Sequence, residues 1–275
     1  MPVVLALLSS LLWGASDFLG GVAAKRMRSL LVVGVSQAIA LVLLAPVAAF
    51  FGDRPEHVWA GPAAGLTGLV GLSAFYAALA SGTMGVIAPI AASGAIVPVI
   101  AGLARGESPS ALQVAGIAVA LLGVVLASGP ELSGGAPARP LFLAVLSALC
   151  FGSVAVLVAA GSKGGQGAFL TTLLVMRATS VGTVVLVSLV LRTSLRVGPG
   201  NLPLLASTGI GDVAANATFA VASRDGLLSV VSVLASLYPV ITVLLARQFL
   251  HERLRTIQVL GVAGTLVGVA LLASG

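Results

Sequence analysis

The chain has 275 residues, 59% of them hydrophobic and only 8% charged, with a mean hydropathy of +1.16. That composition leaves too little polar surface to face water and excludes a soluble globular fold. The formal net charge of +6, in so apolar a chain, reads as orientation in a bilayer and contact with anionic headgroups, not as a nucleic-acid interface.

Taken in order, apolar runs of about 20 residues, the length that crosses a bilayer as a helix, occupy 3–22, 31–51, 61–80, 83–104, 110–128, 140–161, 169–191, 201–222, 227–249 and 256–274. Only helices and closed barrels satisfy their own backbone hydrogen bonds in lipid, and continuous rather than alternating apolar runs predict helices. Polar or turn-rich breaks separate them, among them Lys25-Arg26-Met27-Arg28, Ser81-Gly82 and Arg105-Gly106-Glu107-Ser108-Pro109. The longest break runs from Gly129 to Pro140 near the chain midpoint, and predicts a linker at 130–139 between a first half, 1–129, and a second, 140–275. Val22-Ala23-Ala24 resembles a signal-peptide cleavage site, but no basic residue precedes the first run, and Trp13 and Asp17 are poor residues for a signal core; the first segment is read as a retained helix.

The second half echoes the first. Glu107, Gln113, Gly116 and Gly123 align with Glu252, Gln258, Gly261 and Gly268, and Ser9, Gly14 and Lys25 align with Ser147, Gly152 and Lys163 at one common offset. Five spans per half is an odd number, so the halves insert with opposite topology. The expected fold is an all-α membrane protein of ten transmembrane helices, two inverted five-helix repeats around a central cavity. Gly261, Gly264 and Gly268 form a flat ridge on the last helix, matched by Gly116 and Gly123 on the fifth; this is packing surface for a rigid or homodimer-forming element. The lone Cys150 can form no disulfide framework.

Three ionisable groups fall inside spans: Asp17, Arg177 and Asp212. A charge near the bilayer centre costs roughly 2.5–3.5 kcal/mol on insertion scales, so such groups are paired, hydrated in a cavity, or functional. Arg177 with Asp212 or Asp17 as a structural ion pair, and a direct role in binding solute or a coupling proton, are both open readings. Asp212 and Asn216, four apart, share a helix face with Thr208 and Gly209. Trp13, Ser16 and Asp17 group on the first helix, where an indole beside a carboxylate suits a cationic or aromatic solute. Tyr76 and Tyr238 carry hydroxyls that need partners. Pro239, Pro89 and Pro98 are candidate gating kinks, and Ser93 aligns with Tyr238. Glu107 and Glu252 are expected to cap the helices that follow them or to pair with a neighbouring Arg. His57 and His251 lie in loops, no cluster has metal-ligand spacing, and there is no phosphate loop or nucleophile elbow; no cofactor and no ATP-driven pump is expected.

Leu12-Trp13-Gly14, Phe75-Tyr76-Ala77-Ala78-Leu79-Ala80, Ser236-Leu237-Tyr238-Pro239-Val240 and Phe249-Leu250-His251-Glu252-Arg253-Leu254, in this order over the whole chain, resemble the drug/metabolite transporter superfamily, specifically ten-span proteins of two EamA-type repeats. The resemblance implies secondary transport of a small metabolite through a cavity lined by spans 1, 3, 4, 6, 8 and 9. There are departures: Gly94 stands opposite Pro239, Phe151 opposite Trp13, and nothing acidic matches Asp17. The resemblance also implies cytoplasmic termini, whereas Lys and Arg divide nine to four in favour of the opposite orientation; both orientations stay open. The function expected is a non-enzymatic secondary transporter of the inner cell membrane, an exporter of an amino acid, nucleobase or similar solute by alternating access, with the small molecule and the bilayer as its partners. A cation channel or facilitator and an enzyme on lipid-linked substrates are the alternatives.

Overall fold

The computed structural model describes residues 1–82, 84–128, 138–250 and 256–274. Its helices are α1 (Pro2–Ala24), α2 (Ser29–Phe51), α3 (Ala60–Ser81), α4 (Met84–Ala92), α5 (Ile96–Ala104), α6 (Ala111–Ser128), α7 (Ala138–Gly161), α8 (Ala168–Val190), α9 (Leu202–Asp225), α10 (Leu228–Ala235), α11 (Tyr238–Leu250) and α12 (Thr256–Ser274). Among the described residues, seven helical stretches are long and apolar enough to cross a membrane, and Ile90–Ala104 and Ala111–Gly123 form shorter apolar helices. The chain is an all-α, multi-pass membrane protein. Most of the expected linker, together with His251 and Glu252, lies outside the described residues.

Two helical runs are interrupted. A 3-10 turn at Ser93–Ala95 joins α4 to α5, and a turn at residues 236–237 joins α10 to α11. Pro98 and Pro239 each fall in the first turn of the helix that follows, where a proline ring meets no preceding carbonyl. Pro89 lies inside α4.

Small residues decide how closely the helices approach. A Cβ on Gly152 of α7 would stand 2.2 Å from the Gly94 carbonyl oxygen, and one on Gly14 of α1 would stand 2.6 Å from the Tyr238 carbonyl oxygen. The aligned glycines of α1 and α7 therefore each press against an interrupted helix of the opposite half. Lipid tails are as apolar as leucine, so such backbone-to-backbone contact replaces the hydrophobic effect as the source of helix adhesion. The α12 ridge meets α6, where a Cβ on Gly268 would lie 2.5 Å from the Ala120 nitrogen. Large apolar side chains such as Phe50, Leu189 and Val190 point outward.

Two acidic residues of the first half reach helix N-termini in the second. Asp53 Oδ2 accepts the Gly167 N–H at the start of α8 (2.8 Å). Glu107 accepts the N–H groups of Leu228 (2.7 Å) and Ser229 (3.0 Å) and the Ser229 hydroxyl (2.7 Å) at the start of α10. Carboxylates satisfy orphan N–H groups and the positive helix end together. This corrects the expectation that Glu107 caps the helix after it. That work is done by a reciprocal box, in which Ser110 Oγ accepts the Gln113 N–H (3.2 Å) and Gln113 Oε1 accepts the Ser110 N–H (2.9 Å).

Replacing Gly152 with Ala is expected to cost about 1–3 kcal/mol through overpacking against a backbone that has no rotamer to yield. Gly182→Ala, where an added Cβ meets nothing within 4 Å, should be neutral or stabilising. Thermal unfolding in detergent distinguishes them; equal midpoints would deny the close packing its role.

Candidate functional site

The polar centre of the molecule is the Asp212 carboxylate on α9. Asp212 Oδ2 stands 2.9 Å from Arg177 Nη2 of α8 and accepts a hydrogen bond from Gln37 Nε2 of α2 (2.9 Å). Its Oδ1 accepts Trp13 Nε1 of α1 (3.3 Å) and Asn216 Nδ2 one turn further along α9 (3.0 Å). Gln37 closes the ring by accepting Arg177 Nη1 at its own Oε1. Arg177 and Gln37 are 2% exposed, so the guanidinium has no water to stabilise it and depends on these partners. One carboxylate thereby ties four helices together.

This network borders a cavity of about 110 Å³. Its walls come from α1–α5 and α7–α11; among the described residues, none of α6 or α12 lines it. Both interrupted helices face it, through Ala92, Ala95 and Pro98 on one side and Ser232, Ala235 and Ser236 on the other. Pro239 has no N–H to offer the carbonyl four residues before it, that of the cavity-lining Ala235, so the break leaves a backbone acceptor at the wall.

The residues singled out in the sequence divide. Trp13, Asp17, Asn216, Tyr238, Arg177, Asp212 and Pro98 border the cavity. Asp17 is 7% exposed and has no hydrogen-bond or ion-pair partner among the described residues; the Tyr238 hydroxyl is likewise unpartnered. Ser16 is buried, donates to the Trp13 carbonyl (3.2 Å) and packs toward Gly211 of α9. Tyr76 is buried outside the lining, its phenol filling the space that Gly20 leaves open. Ser93 is exposed and donates to the Ile90 carbonyl (2.6 Å). Pro239 lies just behind Tyr238.

Sequence reasoning missed Gln37, although a lone amide within the apolar run of α2 is a readable signal. It also missed the part played by α2, the second span, because the resemblance implied other helices; the seventh, α8, entered through Arg177 alone. Phe219, tilted against Trp13 with ring centroids 5.6 Å apart, and the unpartnered Ser232 hydroxyl were also missed.

A bundle of apolar helices enclosing a buried ion pair beside a small cavity defines a class: multi-pass membrane proteins with a polar interior site. Comparison with known proteins takes this further. The profile of the EamA-like transporter family matches residues 1–129 and again 138–274. The chain belongs to that family, and is a transmembrane transporter of the drug/metabolite superfamily. A solved crystal structure shares the fold at a TM-score of 0.75 and 18% sequence identity, over 98% of this chain and 95% of its own. A search of curated proteins finds no match.

Removing Asp212 strands Arg177 without its counter-charge. Asp212→Ala is expected to cost about 3–5 kcal/mol, whereas the paired apolar replacement Arg177→Met with Asp212→Leu should cost far less, or nothing. Thermal melts of the two variants in detergent check this. An Asp212→Ala protein as stable as wild type would deny the pair its structural role.

Proposed function

We propose that the protein is a secondary active transporter of the inner cell membrane, an exporter of a small polar or amphipathic metabolite. It works by alternating access between two inverted five-helix repeats. The observation that carries this reading is the Arg177–Asp212 ion pair beside a cavity walled by helices of both halves. Charges held this deep in an apolar bundle are costly, and their usual reward is a path for solute or ion.

The inverted repeat is supported by the reciprocal contacts of Gly14 and Gly152 with the interrupted helices. In this reading α4–α5 and α10–α11 are the gates, with Pro89, Pro98 and Pro239 setting their bends. Asp53 and Glu107 hold one end of the bundle shut, because the four loops carrying them and their acceptor helix starts meet there. Trp13, Asp17, Asn216 and Tyr238 contact solute, Arg177 and Asp212 set the field around it, and Ser16, Tyr76 and Ser93 hold the surrounding helices in place.

Vesicle labelling tests the cycle. In a Cys150→Ser background, Ala235→Cys places a thiol in the cavity wall, and an impermeant maleimide is applied from either face. Adding Asp53→Asn and Glu107→Gln weakens charge-assisted bonds at one end. Labelling from that face should rise roughly tenfold while labelling from the other falls. Labelling that rises from both faces together would indicate a continuous passage, and labelling that does not change would remove the gate.

A further inference from the structure

The polar groups around the cavity are unevenly used. Both Asp212 oxygens are occupied by the side chains of Trp13, Gln37, Asn216 and Arg177. The Trp13 N–H and one Gln37 N–H therefore point to a protein carboxylate, and the Asn216 amide nitrogen donates both to Asp212 Oδ1 and to the Asp212 carbonyl (2.8 Å). Ser180 and Ser236 donate to backbone carbonyls, at 2.9 Å to Gly65 and 2.8 Å to Val233. What is left for a ligand is mostly acceptors: the Asp17 carboxylate, Asn216 Oδ1, and the two-way hydroxyls of Tyr238 and Ser232. The fixed donors left among these lining groups are Arg177 Nε and Nη2, neither with a hydrogen-bond partner, and the second Gln37 N–H; the guanidinium's charge is matched by Asp212.

The formal charges agree. Among the described residues the cavity lining holds two carboxylates and one guanidinium, and pairing Arg177 with Asp212 leaves Asp17 uncompensated. A buried carboxylate without a partner favours a ligand that brings both positive charge and N–H donors. Beside it stand the aromatic rings of Trp13, Phe151 and Phe219 and the thioether of Met176, suited to an apolar body and to a cation at a ring face.

On the reading of this cavity as a transport site, we infer that its solute is an organic ammonium with a compact apolar or aromatic body, held by Asp17 as its counter-ion. The solute meets Asp17 at the charged end and the aromatic wall at the other. An anion would meet the uncompensated carboxylate head-on, and a zwitterion would need a second free cation that Arg177, already paired, does not supply.

A charge series on one skeleton tests this: phenethylamine, 2-phenylethanol, phenylacetate and phenylalanine. In purified Trp59→Phe protein, Trp13 is the sole indole and reports occupancy by fluorescence. Phenethylamine should saturate the signal with affinity roughly 10- to 100-fold tighter than 2-phenylethanol, the value of one charge-assisted contact, and phenylacetate should bind weakest. Asp17→Asn should bring phenethylamine down to the level of the alcohol, and Asp17→Glu should restore it in part. Tighter binding of phenylacetate or phenylalanine, equal binding of amine and alcohol, or no saturable binding of any probe overturns the inference. The wild-type series decides this even if the Asp17 variants fail to fold. Saturable binding of the wrong charge type, with the face-dependent labelling of Ala235→Cys intact, would remove the ammonium and leave the carrier standing.

Discussion

The Asp212 carboxylate is the constraint on which the other parts of the molecule depend. Helices in a bilayer gain little by hiding apolar faces from one another, so a polar contact that must be satisfied fixes which helices meet and at what height. Four side chains from α1, α2, α8 and α9 converge on its two oxygens. Slide any of these helices by a turn, and a guanidinium, an amide or a carboxylate is left bare in a medium that cannot solvate it. The same geometry engages the Trp13 and Asn216 donors of the cavity wall, and so shapes what the cavity offers a guest.

A second constraint is steric, and it is nearly two-fold where the first is not. Gly14 and Gly152 occupy matching places and press on matching breaks in the opposite half. One turn further along, the symmetry fails. Trp13 and Phe151 are counterparts and both line the cavity; Asp17 and Ala155 are counterparts and both line it too. The scaffold is thus duplicated while its electrical content is one-sided.

Much of this was legible in the chain. The apolar runs fall within a few residues of the helices because hydrocarbon thickness dictates their length, and Tyr238-Pro239 marked an interruption because proline cannot complete the ladder. Arg177 and Asp212 stood out because charge is rare in such segments; their pairing was one of two readings that spacing alone allowed. What stayed hidden is non-local. Gln37 has no pattern around it, and its importance comes from a guanidinium 140 positions away. Glu107 sits where a local cap is expected, and its acceptor role across 121 positions follows only once Ser110 and Gln113 are seen to close their own helix. Ser93, placed by alignment opposite Tyr238, is turned outward, because Ala91, Ala95 and Pro98, at helical spacing, take the cavity face.

The direction of the two carboxylate contacts has a consequence for how the protein is made. Asp53 and Glu107 both leave the ribosome long before the helix starts they bind, Gly167 and Leu228. The early half therefore waits with its two carboxylates unmatched, and becomes secured only when the late half arrives. Assembly is ordered by the chain itself: a product truncated before residue 228 leaves the second carboxylate with nothing to hold.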